Sequence, residues 1–280
     1  MKKKKRTKIR KGDPHYRAFK QGSTTYFNSS LFFPQEIRTE VFFLYGFVRV
    51  ADNFVDDVPQ DADGFYRFKE AYYRAREGTP SGNPIIDRYV ELEERCNFEP
   101  AWTDAFLASM EADLHKRVYN SLEETLQYIY GSAEVIGFFM SRILGLPDEA
   151  LESAALQGRA MQYINFIRDI KEDLELGRRY LPLEGSELES LEEGFVQRHP
   201  QQFIDFHAQQ IDLYRGWQKR AEDGYRFIPK RYRIPIRTAA EMYLWTAAKI
   251  EKDPFVVYEK KVKPAKGRII LQVLKNLISG

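Results

Sequence analysis

The sequence predicts an all-α protein built as one domain, and three observations carry that prediction. Apolar residues recur at helical spacing along most of the 280 residues, and no stretch alternates apolar with polar residues long enough to suggest a sheet. Prolines and glycines stand where helices would start or stop. No Pro/Gly/Ser-rich linker, internal repeat or change of composition divides the chain, so residues 13–280 are expected to form a single domain behind a basic tail at 1–12.

The elements follow in order. Pro34 opens a helix expected over 35–57, since a missing N–H costs little at a helix start, and Pro59 closes it. Helical period resumes over 64–77, then Pro84 opens 84–96 and Pro100 opens 100–117. A longer segment, 121–145, ends on Gly145 as its C-terminal cap, with Pro147 behind it. Helix 148–176 ends at Gly177, and the irregular stretch from Gly177 through Arg178, Tyr180 and Pro182 reads as a flap. Pro200, Pro229 and Pro264 mark the starts of helices over 201–226, 229–251 and 265–278.

Composition narrows the function classes. A 43% hydrophobic and 14% aromatic content, with 20 Phe and 17 Tyr, suits a helical protein with a roomy aromatic interior. Cys96 is the sole cysteine, so no intramolecular disulfide forms and a reducing compartment is expected, with the cytoplasm as default. No run reaches the roughly 18 apolar residues that span a bilayer, and the N-terminus lacks the apolar stretch of a secretory signal. Eight of the first eleven residues are Lys or Arg, and removing them from a net charge of +2 leaves the remainder at −6. Such a block serves as a disordered solubilising tail or holds a protein peripherally on anionic lipid. The acidic remainder offers no basic groove for nucleic acid. The sequence sets no oligomeric state. His15, His115, His199 and His207 show no metal-ligand spacing, and the Glu-x-x-His pairs of a di-iron bundle are absent.

Two helices carry polar residues where none are expected. The segment Val41 to Asp57 is apolar almost all round, the mark of a buried helix, yet Tyr45, Arg49, Asp52 and Asp56 form one polar stripe at i, i+4, i+7 and i+11. Between Gly158 and Asp173 a second stripe combines Gln162, Asn165, Asp169 and Asp173. Either stripe alone is as readily an ordinary ion-paired face. Two of them, each embedded among Phe, Ile, Val and Leu, need a cation, a partner charge or a water-filled cavity, because burying a lone carboxylate costs several kcal/mol. Carboxylate and amide oxygens with no nearby His or Cys select Mg2+, which keeps coordination positions open for phosphate oxygens. A diphosphate held between the stripes by Mg2+ follows.

At these two segments the sequence resembles the squalene/phytoene synthase family of head-to-head prenyltransferases. The family pattern Gln-x-x-Asn-x-x-Arg-Asp-x-x-Glu-Asp-x-x-x-Gly-Arg-x-Tyr-Leu-Pro is matched throughout from Gln162 to Pro182. The pattern Tyr-x-x-x-Arg-x-x-Asp-Asp-x-x-Asp is matched at Tyr45, Arg49, Asp52 and Asp56, with Asn53 in place of the middle aspartate. Asn53 lies about 100° round the helix from Asp52, away from the principal ligands; Asp57 stands ready to compensate the lost charge. Ser23, Thr24 and Thr25 resemble a family segment that contacts a substrate diphosphate, and Met110 to Asp113 and Tyr130 to Gly137 resemble weaker signatures along the pocket.

The resemblance implies an isoprenoid synthase-type helical bundle around a central cavity, acting on two prenyl diphosphates, farnesyl or geranylgeranyl, through a cyclopropyl diphosphate. Asp52, Asp56, Asn165, Asp169 and Asp173 would hold Mg2+, or Mn2+ in its place, and Ser23, Thr24, Thr25, Tyr45, Arg49, Gln162 and Arg168 would hold phosphate oxygens. Arg168 is the odd member, pointing about 100° from Asp169 on an ideal helix. Arg178 and Tyr180 would act from the flap. Phe138, Phe139, Tyr163 and Phe166 are candidate walls for a carbocation, although each is more simply read as core. Phytoene or dehydrosqualene is the expected product; squalene, which would require NADPH, is the alternative, since no Gly-rich dinucleotide fingerprint is present. A catalytically inactive scaffold of the same family would have no reason to keep both carboxylate stripes.

Overall fold

The computed structural model describes residues 9, 12–22, 27–28 and 30–279. The eight cations of the N-terminal block, and Ser23, Thr24 and Thr25, lie outside the described residues. Among the described residues there is no strand, only an isolated parallel bridge between Val118 and Arg179.

The helices are α1 (Pro14–Gly22), α2 (Gln35–Asp56), α3 (Ala62–Arg76), α4 (Pro84–Cys96), α5 (Pro100–His115), α6 (Leu122–Ile129), α7 (Val135–Leu144), α8 (Leu151–Arg168), α9 (Ile170–Glu175), α10 (Glu193–Arg198), α11 (Pro200–Glu222), α12 (Lys230–Lys252), α13 (Val256–Glu259) and α14 (Lys266–Ser279). Local chemistry sets many of their ends. Asp61 accepts from Gly64 N–H to start α3, and Ser121 accepts from Glu124 N–H to start α6. Asn83 accepts from Ile85 N–H ahead of Pro84 in α4, which stops on Asn97 at φ 54°. Gly145 ends α7 at φ 65°, a conformation that disfavours any Cβ.

Two expected helices are interrupted. Segment 121–145 contains a π-turn at Tyr130–Glu134, one extra residue between α6 and α7. Segment 148–176 begins with a 3₁₀ turn and breaks at Asp169, whose φ of −102° and ψ of 16° leave the helical region. The break is local, because Asp169 N–H still donates to Asn165 C=O at 2.8 Å and its own carbonyl accepts from Asp173 N–H at 2.9 Å.

The apolar side chains gather into two cores. One is built on α2 to α5 and α7, with Phe47 stacked on Tyr89 at 3.8 Å in its middle. The other is built on α8, α11 and α12, with Tyr163 edge-on to Trp217 at 5.0 Å. Glycines let the central helices approach closely: a Cβ on Gly158 of α8 would stand 2.2 Å from Ala133 C=O, and one on Gly137 of α7 would stand 2.2 Å from Ala154 C=O. Between the two cores lies a cavity of about 1030 Å³, walled by side chains of both.

Candidate active site

The cavity is apolar along most of its wall, with Phe106, Met110, Ile136, Met140 and Leu144 from one core and Met161, Phe166 and Ala239 from the other. Its polar part is where the two stripes meet. Tyr45, Arg49, Asp52 and Asp56 line it from α2, and Gln162, Asn165, Arg168, Asp169 and Asp173 line it from α8 and α9. The stripes therefore face one shared space. Asp173 and Asp56, one from each, are near enough for their charges to repel.

Each stripe is partly neutralised by cations. Arg49 donates to Asp52 across one helical turn. Arg168 clasps Asp169 through Nε at 2.7 Å and Nη2, a bidentate pairing of neighbours at the break in the helix. Arg178 donates from Nη1 to Asp56 Oδ1 at 2.7 Å, tying the segment after α9 to the end of α2. Lys261 reaches Asp169 Oδ1 at 3.1 Å and also pairs with Glu172.

Burial leaves its mark on the acids. Asp52 is pushed up to about 7 by burial and by the charge of Asp56, against the pull of Arg49. Asp173 is pushed well above the usual carboxylate range by burial and by Asp169. Both acids sit where added positive charge would relieve them. Asn165 Oδ1 is buried without a hydrogen-bond partner, and Asn165 lines the same space. All-oxygen donors, two strained carboxylates and an orphaned amide oxygen fit a hard divalent cation. No three His, Cys, Asp or Glu among the described residues stand close enough to hold an ion alone, so a cation here would share its coordination with other oxygens.

Behind the stripes lies a buried hydrogen-bonded knot that the sequence showed only as a faint signature. Asp113 is 1% exposed, accepts from Tyr128 Oη at 2.6 Å and from Tyr180 Oη at 2.7 Å. Arg178 also donates to the carbonyls of Val55 and Asp113, and its Nη1 lies 3.3 Å from Tyr180 Oη. Tyr180 stacks on Phe166 with ring centres 4.4 Å apart and planes at 5°. This corrects the flap reading: Arg178 is 4% and Tyr180 6% exposed, so both are built into the cavity wall.

Other expectations fare as follows. Phe166 lines the cavity, whereas Phe138 packs on Trp102, Phe139 on Phe98, and Tyr163 donates to Gln210, so these three are core. Asn53 and Asp57 do not line the cavity; Asp57 is an exposed helix cap and compensates nothing there. Lys261 and Lys263 do line it, from a strap far downstream that no sequence motif marks. Burial lowers Lys263 from the usual lysine range, aided by Lys261.

A family model described as squalene/phytoene synthase matches residues 19–268. The chain belongs to the squalene/phytoene synthase family. Among curated members, the 15-cis-phytoene synthase of Enterobacter agglomerans is 27% identical over 253 residues, covering 86% of this chain and 86% of that protein. The 15-cis-phytoene synthase of Synechocystis sp. is 29% identical over 262 residues, covering 86% of this chain and 77% of that protein. The fold is that of a dehydrosqualene synthase crystallised with ligand, at a TM-score of 0.82 and 18% identity over 95% of this chain and 99% of that one. Squalene synthase HpnC from Alicyclobacillus acidocaldarius superposes at a TM-score of 0.76 and 22% identity, over 86% and 93% of the two chains. The all-α fold and the enzyme class expected from the sequence, a prenyltransferase, agree with these family relatives.

Proposed function

We propose that this squalene/phytoene synthase family member condenses two prenyl diphosphates head to head, with Mg2+, through a cyclopropyl diphosphate to phytoene or dehydrosqualene. The observation that carries the reading is the convergence of two carboxylate stripes on one cavity whose remaining wall is mostly apolar. The names of the relatives supply the product class; the chemistry of the cavity suits prenyl diphosphates as the substrates.

The residues divide the work. Asp52, Asp56, Asn165, Asp169 and Asp173 would hold Mg2+, and the ion when bound would supply Lewis-acid chemistry toward the diphosphate. Arg49, Arg168, Gln162 and Tyr45 position phosphate oxygens from the same rim. Ionisation breaks the C1–O bond of one substrate, and the bonding pair leaves with diphosphate. The double bond of the second substrate then attacks the allylic cation, and loss of a proton closes the cyclopropane. Phe166 and Tyr128 line the wall beside that space, where a ring face turned to it would be worth up to about 2 kcal/mol to a desolvated cation, and Tyr180, stacked on both Phe166 and Tyr119, backs that wall. Tyr128 and Tyr180 are both locked by Asp113, so their rings are held without freedom to turn their hydroxyls onto the cation.

The test is incubation with farnesyl or geranylgeranyl diphosphate, each with and without NADPH, followed by hydrocarbon analysis. Phytoene from the C20 substrate or dehydrosqualene from the C15 substrate, formed without NADPH, is the expected result. Diphosphate release with no 1-1′ linked hydrocarbon, or a product that appears only with NADPH, would overturn the product assignment.

A further inference from the structure

The last helix carries apolar side chains on both of its sides. α14 packs on α12 through Ile269 and Val273, both fully buried, with polar contacts beside them: Arg268 lies 4.8 Å over the Trp245 ring, and Gln272 and Asn276 donate to Glu241 Oε2 at 2.8 and 2.6 Å. Asn276 also donates to Thr238 Oγ1 at 3.0 Å. At about 100° per residue these five occupy roughly one side of the helix. The other side holds Ile270, Leu271, Leu274, Leu277 and Ile278, exposed at 52%, 55%, 51%, 54% and 88%. A surface helix ordinarily turns its apolar stripe to the protein and its polar face to water. Here a contiguous row of five large apolar side chains faces outward, where isolated exposed residues would need no explanation.

The surrounding charge says what the row meets. From Lys260 to the end of the chain there are six Lys or Arg and no Asp or Glu. A second copy would bring these cations against their own kind. A bilayer with anionic headgroups supplies both an apolar interior for the row and negative charge for its rim.

The position relative to the cavity gives the row a use. Lys261, Lys263, Pro264, Ala265 and Lys266 line the cavity and run directly into α14. At the other end of the α12 contact, Phe33 also lines the cavity and lies 6.5 Å from Tyr232, with Leu31 and Phe32 beside it exposed at 40% and 43%. We propose that α14 lies in the interfacial layer of an anionic membrane with Ile270, Leu271, Leu274, Leu277 and Ile278 inward, bringing the cavity wall at 261–266 to headgroup level. The lipid docking stands on this geometry alone; its purpose, passage of a water-insoluble hydrocarbon from cavity to bilayer, rests on the proposed function.

The experiment is cosedimentation of the full-length protein with vesicles of phosphatidylcholine alone or mixed equally with phosphatidylglycerol. The wild type is expected to pellet with the mixed vesicles and far less with the neutral ones. Leu274→Glu combined with Ile278→Glu should lower the partition coefficient about tenfold or more, and the milder Leu274→Ser with Ile278→Ser should fall between. Both positions face away from α12, so helical circular dichroism and the melting temperature should hold, which separates lost binding from lost folding. Wild type left in the supernatant, or variants that pellet like wild type, would overturn the proposal. So would a wild-type dimer in lipid-free buffer that the Glu variant converts to monomer, since the row would then belong to a second copy. Vesicle binding by a protein that makes no hydrocarbon would leave the docking intact and sink only the proposed reaction.

Discussion

Replacing Asp113 by Asn should change the pH dependence of folding more than the stability at any one pH. Asp113 is held up at about 6, against an ordinary 3.8, chiefly by burial, with Arg178 and the two tyrosine hydroxyls pulling the other way. A gap of about 2 units corresponds to about 3 kcal/mol, at 1.36 kcal/mol per unit. The sign follows from proton binding. Between 3.8 and 6 the folded protein holds a proton on Asp113 that the unfolded chain has released, so stability contributed by this group falls as pH rises through that window. Asparagine cannot ionise and keeps nearly the same shape between Tyr128 and Tyr180. The difference in unfolding free energy between Asp113→Asn and wild type should therefore move in favour of the variant by about 2.4 kcal/mol from pH 4 to pH 7, the rest of the change lying below pH 4. Urea unfolding of both proteins at the two pH values reads it directly. A difference that stays constant between them would show that Asp113 does not titrate in the folded state as burial requires, and the account of the knot would fail.

Three further outcomes follow from the site and the packing. Asp52→Asn and Asp169→Asn should each cut turnover by about a thousandfold with the helical circular dichroism unchanged; undiminished turnover in either variant would count decisively against the assigned metal roles. Chelation with EDTA should stop diphosphate release, and added Mg2+ should restore it; release that persists in chelator would remove the metal from the reaction. Gly158→Ala places a Cβ 2.2 Å from Ala133 C=O, so α8 must move off the π-turn. Chemical denaturation should show a loss of about 1–3 kcal/mol, and a neutral effect would mean the crossing is looser than drawn.

Much of this architecture was readable from the chain because its signals are local. Proline at a helix start and glycine at a helix end act within a turn, so the expected helices match the observed ones closely at both ends. The carboxylate stripes were readable for the same reason, since spacing along one helix fixes one face. What escaped was set by tertiary contact. Asp113 matters because Tyr128, Tyr180 and Arg178 converge on it from other segments, and no spacing reveals that. Lys261 meets Asp169 across the fold from a strap that resembles any exposed run of lysines. Short α1, α10 and α13 offer too few turns for a periodic pattern to stand out. The break at Asp169 was hidden because a helix-like sequence runs straight through it.

The extra residue at Tyr130–Glu134 acts as an indexing step. Tyr128, Ser132, Ile136, Met140 and Leu144 all border the tunnel at intervals of four. On an uninterrupted α-helix each such interval advances about 40°, so the four together would swing Leu144 about 160° from Tyr128, to the opposite flank. The wider turn winds some of that rotation back and keeps one rod trained on one channel along its whole length. Removing a single residue there would shift the gear by one tooth, about 100°, and aim everything beyond it at the wrong neighbour.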